Sequence, residues 1–429
     1  MSGDNAASNT GERKDMKKIA LAEILLPSKG IAEDVEFWTS EQPGLGFRME
    51  QIYPADNPQV VTLSGHGIRM RLDTRLKTSS SMTGDGDGGD DDDSPSPGII
   101  RLLLCDDAQS AFDGKHEFTS PSGTRVQIVD APKATTGSGT TTTQSLPTTQ
   151  HAFLTRRLKD NAPWIIGRAG MHYRDLIPGR LGGAIIASHI RIPDAGPVPD
   201  KVHFHDVGFQ LIYCLHGWVR LVYEDQGPPF ILSSGDCVIQ PPRIRHRVLE
   251  ASANLQVLEI GVPAEHMTTI DHEMSLPTTE AEAEAFNAIR RPDREWDGQR
   301  FVHSLAAEAV WERPWRLPGF EARDTGVGHG TKGVAAVHIA RPIKEGSPPE
   351  SSVLVTSHTS DILFAFVLTG SCTLHGEGQG SHTLTEGDAY VLPPHLKTKL
   401  TDCSDDLTLL EVSLPADFRT EVHPDEELK

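Results

Sequence analysis

Between Lys201 and Arg247 the chain carries nitrogen and oxygen donors at the spacing that a metal site needs. His203 and His205 stand two apart in a strand-forming run, so their imidazoles project to one face. Gln210 lies on the next such run, within HFHDVGFQLIYCLHG, and Gly217 ends that run at a turn. Further on, GDCVIQPPRIRH supplies a turn at Gly235, a corner at Pro241-Pro242, and then His246. A small closed barrel can bring these four side chains to one interior point. Imidazole suits zinc, copper, iron or nickel, and an amide oxygen can complete the shell. A dry interior would instead leave several polar atoms unpaired, at ~1–3 kcal/mol each.

The elements that must position these residues are read from a repeat. Arg174-Asp175 recurs as Arg323-Asp324, Ala187-Ser-His189-Ile as Ala336-Val-His338-Ile, and Gly217 as Gly370. Gly235-Asp236 recurs as Gly387-Asp388, Pro241-Pro242 as Pro393-Pro394, and Leu258-Glu259 as Leu410-Glu411. The offset stays between 149 and 153 throughout, the mark of a duplicated domain. Each copy is dense in short β runs, such as IIASHIRI, LQVLEIGV, ILFAFVLTG and LTLLEVSL, punctuated by Gly, Pro and Asp. Between the copies, Thr279 to Arg291 reads as a helix with Thr278 or Thr279 as N-cap.

With these residues in place the chain resembles the cupin superfamily. The family's HxHxxxxE and GDxxxxPxxxxH motifs, allowing for spacing variants, fall on His203, His205 and His246, with Gln210 where glutamate is usual. The resemblance implies two tandem cupin β-barrels, a bicupin, and one divalent transition-metal ion per chain. Iron(II) is the first expectation, with zinc, manganese, nickel or copper as alternatives. In the second copy the matching positions are Thr356, His358, Leu363 and Thr398. One histidine cannot hold such an ion, so that barrel reads as structural.

Strand alternation from Gln210 places Ile212, Cys214 and His216 on its face, making Cys214 a candidate for the inner wall near the metal. His189 and Glu259 recur in the metal-free copy, which favours structural roles, and Tyr213 could line the mouth. Arg191 becomes Ala340 there and is the candidate for gripping a substrate carboxylate.

Residues 17–132 form a different unit, expected as a small α+β module of strand, helix and further strands. It resembles a vicinal oxygen chelate (glyoxalase-like) module, on Phe37-Trp38, Leu45-Gly46-Phe47 and Ser120-Pro-Ser-Gly123. Its strands offer Glu23, Arg69, Arg71 and Gln127 where that family places metal ligands, so the module is read as degenerate. The remaining boundaries are a disordered N-terminus over 1–16, a disordered acidic loop over 74–98 and a linker over 133–150. The metal-binding barrel spans 151–272, a helical connector 273–310, the degenerate barrel 311–418 and a tail 419–429.

The formal net charge of -20 argues against nucleic acid and anionic membranes as partners. Five cysteines without a CxxC pair read as reduced thiols, and the polar N-terminus lacks the apolar region of a signal peptide. A cytoplasmic protein is therefore expected, acting on a small molecule and open to self-association through barrel edges. The function expected is a metal-dependent enzyme, a dioxygenase-type oxidoreductase first and an isomerase, cyclase or lyase second. The third reading is a non-catalytic binding bicupin.

Overall fold

The computed structural model describes residues 19–28, 30–39, 47–65, 67–76, 99–104, 116–119, 125–130, 147–160, 163–343, 354–424 and 427–428. Most of the acidic loop and linker lie outside these residues, as do 1–16, Leu45-Gly46 and Ser120–Gly123. The chain divides by contact into an N-terminal unit (Met1–Glu50, Gln59–Thr140) and a barrel unit (Gln51–Pro58, Thr141–Lys429).

In the N-terminal unit the expected order of strand, helix and further strands is present. Ile19–Pro27 pairs in parallel with Ile68–Asp73 and antiparallel with Ile99–Leu104, and the helix Ile31–Thr39 follows the first strand. Glu23, the first strand's one metal-ligand type, is buried and held by Arg69 at 3.1 Å. The run VVTLSGHGIRMRLD folds as two strands, Val60–Gly65 and Ile68–Asp73, paired with each other.

In the barrel unit the duplication is visible strand by strand. One sheet of the first barrel runs Phe230–Ser233, Trp218–Tyr223, His246–Ala251, His203–His205, Thr268–Ile270. The second barrel repeats that order with Gly380–Thr385, Ser371–Gly376, Thr398–Thr401, Val355–His358, Thr420–His423. The other sheet of each barrel packs against its counterpart. Phe209, Leu211, Leu258 and Ile260 share one core with Phe364, Phe366, Leu410 and Val412. Both faces of these strands are buried, which is why FQLIYCL and ILFAFVL are almost wholly apolar rather than alternating.

The barrels exchange elements reciprocally. Val302–Ser304, from the connector, pairs with Cys237–Ile239 of the first barrel. Leu154–Arg156, expected within the first barrel, pairs instead with Ala389–Leu392 of the second. Arg174 donates to the Gly387 carbonyl at 2.7 Å, and Arg323 to the Gly235 carbonyl at 2.9 Å. Likewise the amides of Leu158 and Ala306 donate to Asp388 and Asp236, each at 2.7 Å. The Arg-Asp and Gly-Asp repeats thus contain the fasteners between the barrels.

Gly217 adopts φ +79, and a Cβ there would meet the Ser252 hydroxyl at 2.2 Å, so the turn requires glycine on both counts. The connector helix is shorter than expected, covering Glu280–Ala285. Thr279 caps it by accepting from the Glu282 amide at 3.2 Å, while Glu282 accepts from the Thr278 amide at 2.7 Å. It stops because Asn287 turns left-handed and the Arg291 amide donates to the Asp225 carbonyl at 2.8 Å, tying the chain back to the barrel. Among the described residues no helix is long and apolar enough to cross a membrane. Cys214, Cys237, Cys372 and Cys403 are free thiols.

Candidate metal centre

The pleat of His203–His205 sends both imidazoles into the first barrel, and His246 is the direct cross-strand partner of His203. One potential ligand atom from each of the three lies within 4.8 Å of the others, and all three residues are buried. Among the described residues this is the one cluster of His, Cys, Asp or Glu able to hold a metal ion.

Each ring is fixed through Nδ1. His203 Nδ1 meets the Lys201 carbonyl at 2.7 Å, and His246 Nδ1 meets the Ile244 carbonyl at 3.0 Å. A carbonyl only accepts, so these nitrogens carry the proton and leave Nε2 with a lone pair. His205 Nδ1 is held by the Thr268 hydroxyl at 2.9 Å. Burial keeps His203 and His205 well below the usual imidazole range and brings His246 down to about 4. Neutral rings oriented by outer hydrogen bonds are the form that binds metal.

Gln210, which shares its strand face with the chamber-lining Ile212, is fully buried. Its Nε2 donates to Glu259 Oε1 at 2.6 Å, which leaves its Oε1 buried without a hydrogen-bond partner. An orphaned amide oxygen is a costly feature in a dry core and a suitable one beside a cation. The three convergent imidazoles could hold a metal ion.

Glu259 lines the same chamber as the three histidines, so it is not merely the structural residue that its recurrence suggested. Burial pushes its carboxyl up, against the opposing influence of the Gln210 amide. Arg168 and His266 escaped sequence reading because they sit outside the periodic strand runs. Arg168 forms a short ion pair with buried Asp200, whose second oxygen accepts from the Val248 amide at 2.9 Å. Its Nη2 also lies 3.0 Å from His203 Nε2. His266 packs edge-on against His205 with ring centroids 5.6 Å apart, its Nδ1 held by the Pro263 carbonyl at 3.0 Å.

Two expected residues lie elsewhere. Arg191 is exposed: its neighbours Ile190 and Ile192 line the chamber, so alternation turns Arg191 away. Cys214 does face the barrel interior, but four residues along the strand from Gln210 is roughly 13 Å at ~3.3 Å per residue. It is buried in the core with Val219 and Leu232, donates weakly to the Gly217 carbonyl at 3.5 Å, and burial pushes its thiol up to about 12. A thiol so placed stays protonated and unreactive. Tyr213 lies in the core between the barrels, and His216 is exposed.

The chamber is a cavity of about 80 Å³ whose walls are largely apolar, including Met171, Ile212, Leu221 and Val257. Tyr223 stacks on His246 with centroids 5.5 Å apart and accepts from the Gln240 amide at 2.9 Å.

No family model and no curated protein matches the chain. Among solved structures it is similar to a salicylate 1,2-dioxygenase from Pseudaminobacter salicylatoxidans, at 13% identity over 65% of this chain and 91% of that one, with a TM-score of 0.46. It is also similar to an oxalate decarboxylase from Lactobacillus farciminis in a formate complex, at 13% identity over 65% and 91%, with a TM-score of 0.44. Protein Ylba from E. coli aligns at 12% identity over 63% and 94%, with a TM-score of 0.41.

Proposed function

We propose that the first barrel holds one divalent transition-metal ion through His203, His205, His246 and Gln210 and acts on a small organic anion, with dioxygenation as the reaction class. The observation that carries this reading is the donor set itself. Three neutral imidazoles, locked through Nδ1, line an apolar-walled chamber together with Glu259, and Glu259 holds the buried Gln210 amide, whose oxygen has no hydrogen-bond partner. Bound there, iron(II), or alternatively zinc, manganese, nickel or copper, supplies Lewis acidity and, for iron or copper, redox chemistry towards O2.

The chain's own residues set the rest. Arg168 Nη2 donates to His203 Nε2 in this structure, a bond given up once His203 serves as a ligand. Its guanidinium is then available to a substrate carboxylate or enolate, while Asp200 holds its other side. Apolar walls exclude water and strengthen that contact. Glu259 orients the amide of Gln210 through Oε1, leaving Oε2 as the position where its raised carboxyl would hold a proton.

Gln210 supports a second reading. An amide donor subtracts no charge from the cation, which favours carbonyl polarisation in an isomerase, cyclase or lyase. Oxygen uptake by the iron-loaded full chain, tested against hydroxy acids and phenolic acids, separates the readings. Uptake matched to substrate loss is the expected result. Turnover under anaerobic conditions moves the assignment to the second reading, and binding without turnover to a non-catalytic bicupin.

A further inference from the structure

Residues 51–58 belong to the barrel unit by contact, although residues of the N-terminal unit flank them on both sides in sequence. They are fastened to the first barrel at several points. Gln51 and Ile52 pair with Thr269 and Thr268, the latter being the residue that holds His205. The Tyr53 hydroxyl donates to Glu265, and Arg180 donates to Asp56 at 2.6 Å. Both members of the Arg180–Asp56 pair are largely buried, with side-chain exposures of 20% and 13%.

Between these fastenings Ala55 forms part of the chamber wall, together with Arg168, His203 and His205. A Cβ on Gly167 would lie 2.7 Å from the Tyr173 ring and 2.9 Å from the Ala55 carbonyl oxygen. Gly167 has an ordinary negative φ of -113, so close approach, not backbone conformation, is what the glycine serves there.

The same loop borders a second space. An open groove of about 810 Å³ is lined by Tyr53, Gly179, Arg180, Gly183, Pro263 and Glu265. Tyr53 and Glu265, which form one fastening, both face this groove, as does Arg180, which makes the other. The chamber measures only about 80 Å³. A ligand of even modest size thus has room in the groove and little in the chamber.

We infer that Tyr53–Pro58 is the partition between groove and chamber, and that Ala55 is a specificity-determining residue limiting the size of ligand that reaches the histidines. The inference rests on the chamber being the working site, as proposed above, and it deepens that reading. Arriving from the groove, a substrate meets the Asp56–Arg180 and Tyr53–Glu265 fastenings first. Ala55 lines the chamber with a side chain of one methyl group, so a larger side chain there is expected to take space from the ligand.

The test needs no metal. In the metal-free full chain, diethylpyrocarbonate acylates neutral imidazoles, and peptide mass spectrometry reports the rate at His203, His205 and His246 against exposed His216. Asp56→Ala and Arg180→Ala should each raise the chamber rates about five-fold, the equivalent of one partly buried ion pair, without moving His216. Asp56→Asn, which keeps the size and one acceptor, should give a smaller rise and serves if Asp56→Ala does not fold. Ala55→Leu should lower the chamber rates. Unchanged rates in the Asp56 and Arg180 variants would overturn the partition, and an unchanged or raised rate in Ala55→Leu would overturn the role of Ala55. Failure of the metal reading shows separately, as wild-type protein that binds no metal.

Discussion

Where the first barrel pairs His203 with His246 across two strands, the second pairs Thr356 with Thr398. Where Gln210 lies opposite Gly261, the second barrel sets Leu363 opposite Ser413. Strand order and register are otherwise the same, so the scaffold does not depend on the donor set. The polar groups that remain differ: both ring nitrogens of His358 and the Ser413 hydroxyl are buried without a hydrogen-bond partner, and the charged groups pair with each other. Arg316, lying just before Arg323 as Arg168 lies before Arg174, makes a two-point ion pair with Glu411, its Nε meeting Oε1 at 2.6 Å. Glu259, the counterpart of Glu411, is engaged by Gln210 instead, and Arg168 turns to Asp200 and His203. One interior is internally neutralised. The other gathers three imidazoles where the second barrel has one, and three convergent lone pairs are suited to an external cation.

The comparison breaks most readily through the histidines. His203→Ala combined with His246→Ala should weaken metal binding by more than about a hundred-fold, whereas His358→Ala in the second barrel should leave metal content unchanged. Equilibrium dialysis against zinc and iron(II) checks both. If the two barrels bind equally before and after, the contrast between them is mistaken.

A graft sharpens it. Thr356→His, Leu363→Gln and Thr398→His rebuild the donor set around His358, yet Arg316 remains inside that barrel. Like Arg168 with Asp200, it is neutralised by a carboxylate partner, so the graft should bind a second equivalent of metal at least about ten-fold more tightly than the unaltered second barrel. Titration calorimetry reads the two steps.

A subtler difference lies in the outer hydrogen bonds. Thr268→Val removes the hydroxyl that holds His205 Nδ1 and should weaken metal binding about ten-fold. Thr420→Val, at the matching position beside His358, should leave metal affinity unchanged. Competition with a chromophoric chelator measures both.

The smallest effect is on stability. Burial brings His358 from 6.5 to about 4. Between those values the unfolded chain binds more protons than the folded one, so His358 stabilises fully above pH 6.5 and progressively less as pH falls towards 4. Urea unfolding of the metal-free protein at pH 6.5 and 5.5 should show a loss that His358→Gln reduces by about 1 kcal/mol.

Much of the first barrel's site was legible because strand geometry has a period of two. His203 and His205 share a face by counting, and the turn residues before His246 return it to the same end. Periodicity gives a face but not a depth, and so Cys214 was assigned correctly to the interior and wrongly to the metal's neighbourhood. Arg191 stands out in the sequence only because Ala340 replaces it in the second copy, and a difference between copies does not say which face a side chain takes. Arg168 and His266 belong to segments with no period at all. Glu259 was discounted because it recurs as Glu411, and only the side-chain partners show that the two glutamates do different work. In the fold, the duplication was plain from Arg-Asp and Gly-Asp pairs. That Arg174 and Arg323 reach across to the opposite barrel was not, since sequence offsets carry no information about exchange. The connector helix was overextended because Asn287 and the bond from Arg291 to Asp225 end it by tertiary contact.

In the proposed site, three imidazoles and one amide oxygen meet at a single cation inside the first barrel. X-ray absorption on full-length protein loaded with one equivalent of zinc or iron(II) tests this directly. The expected spectrum shows nitrogen and oxygen neighbours at about 2.0–2.1 Å with imidazole scattering, lost in the variant carrying His203→Ala and His246→Ala. Sulfur ligation, or a spectrum unchanged in that variant, would contradict the account.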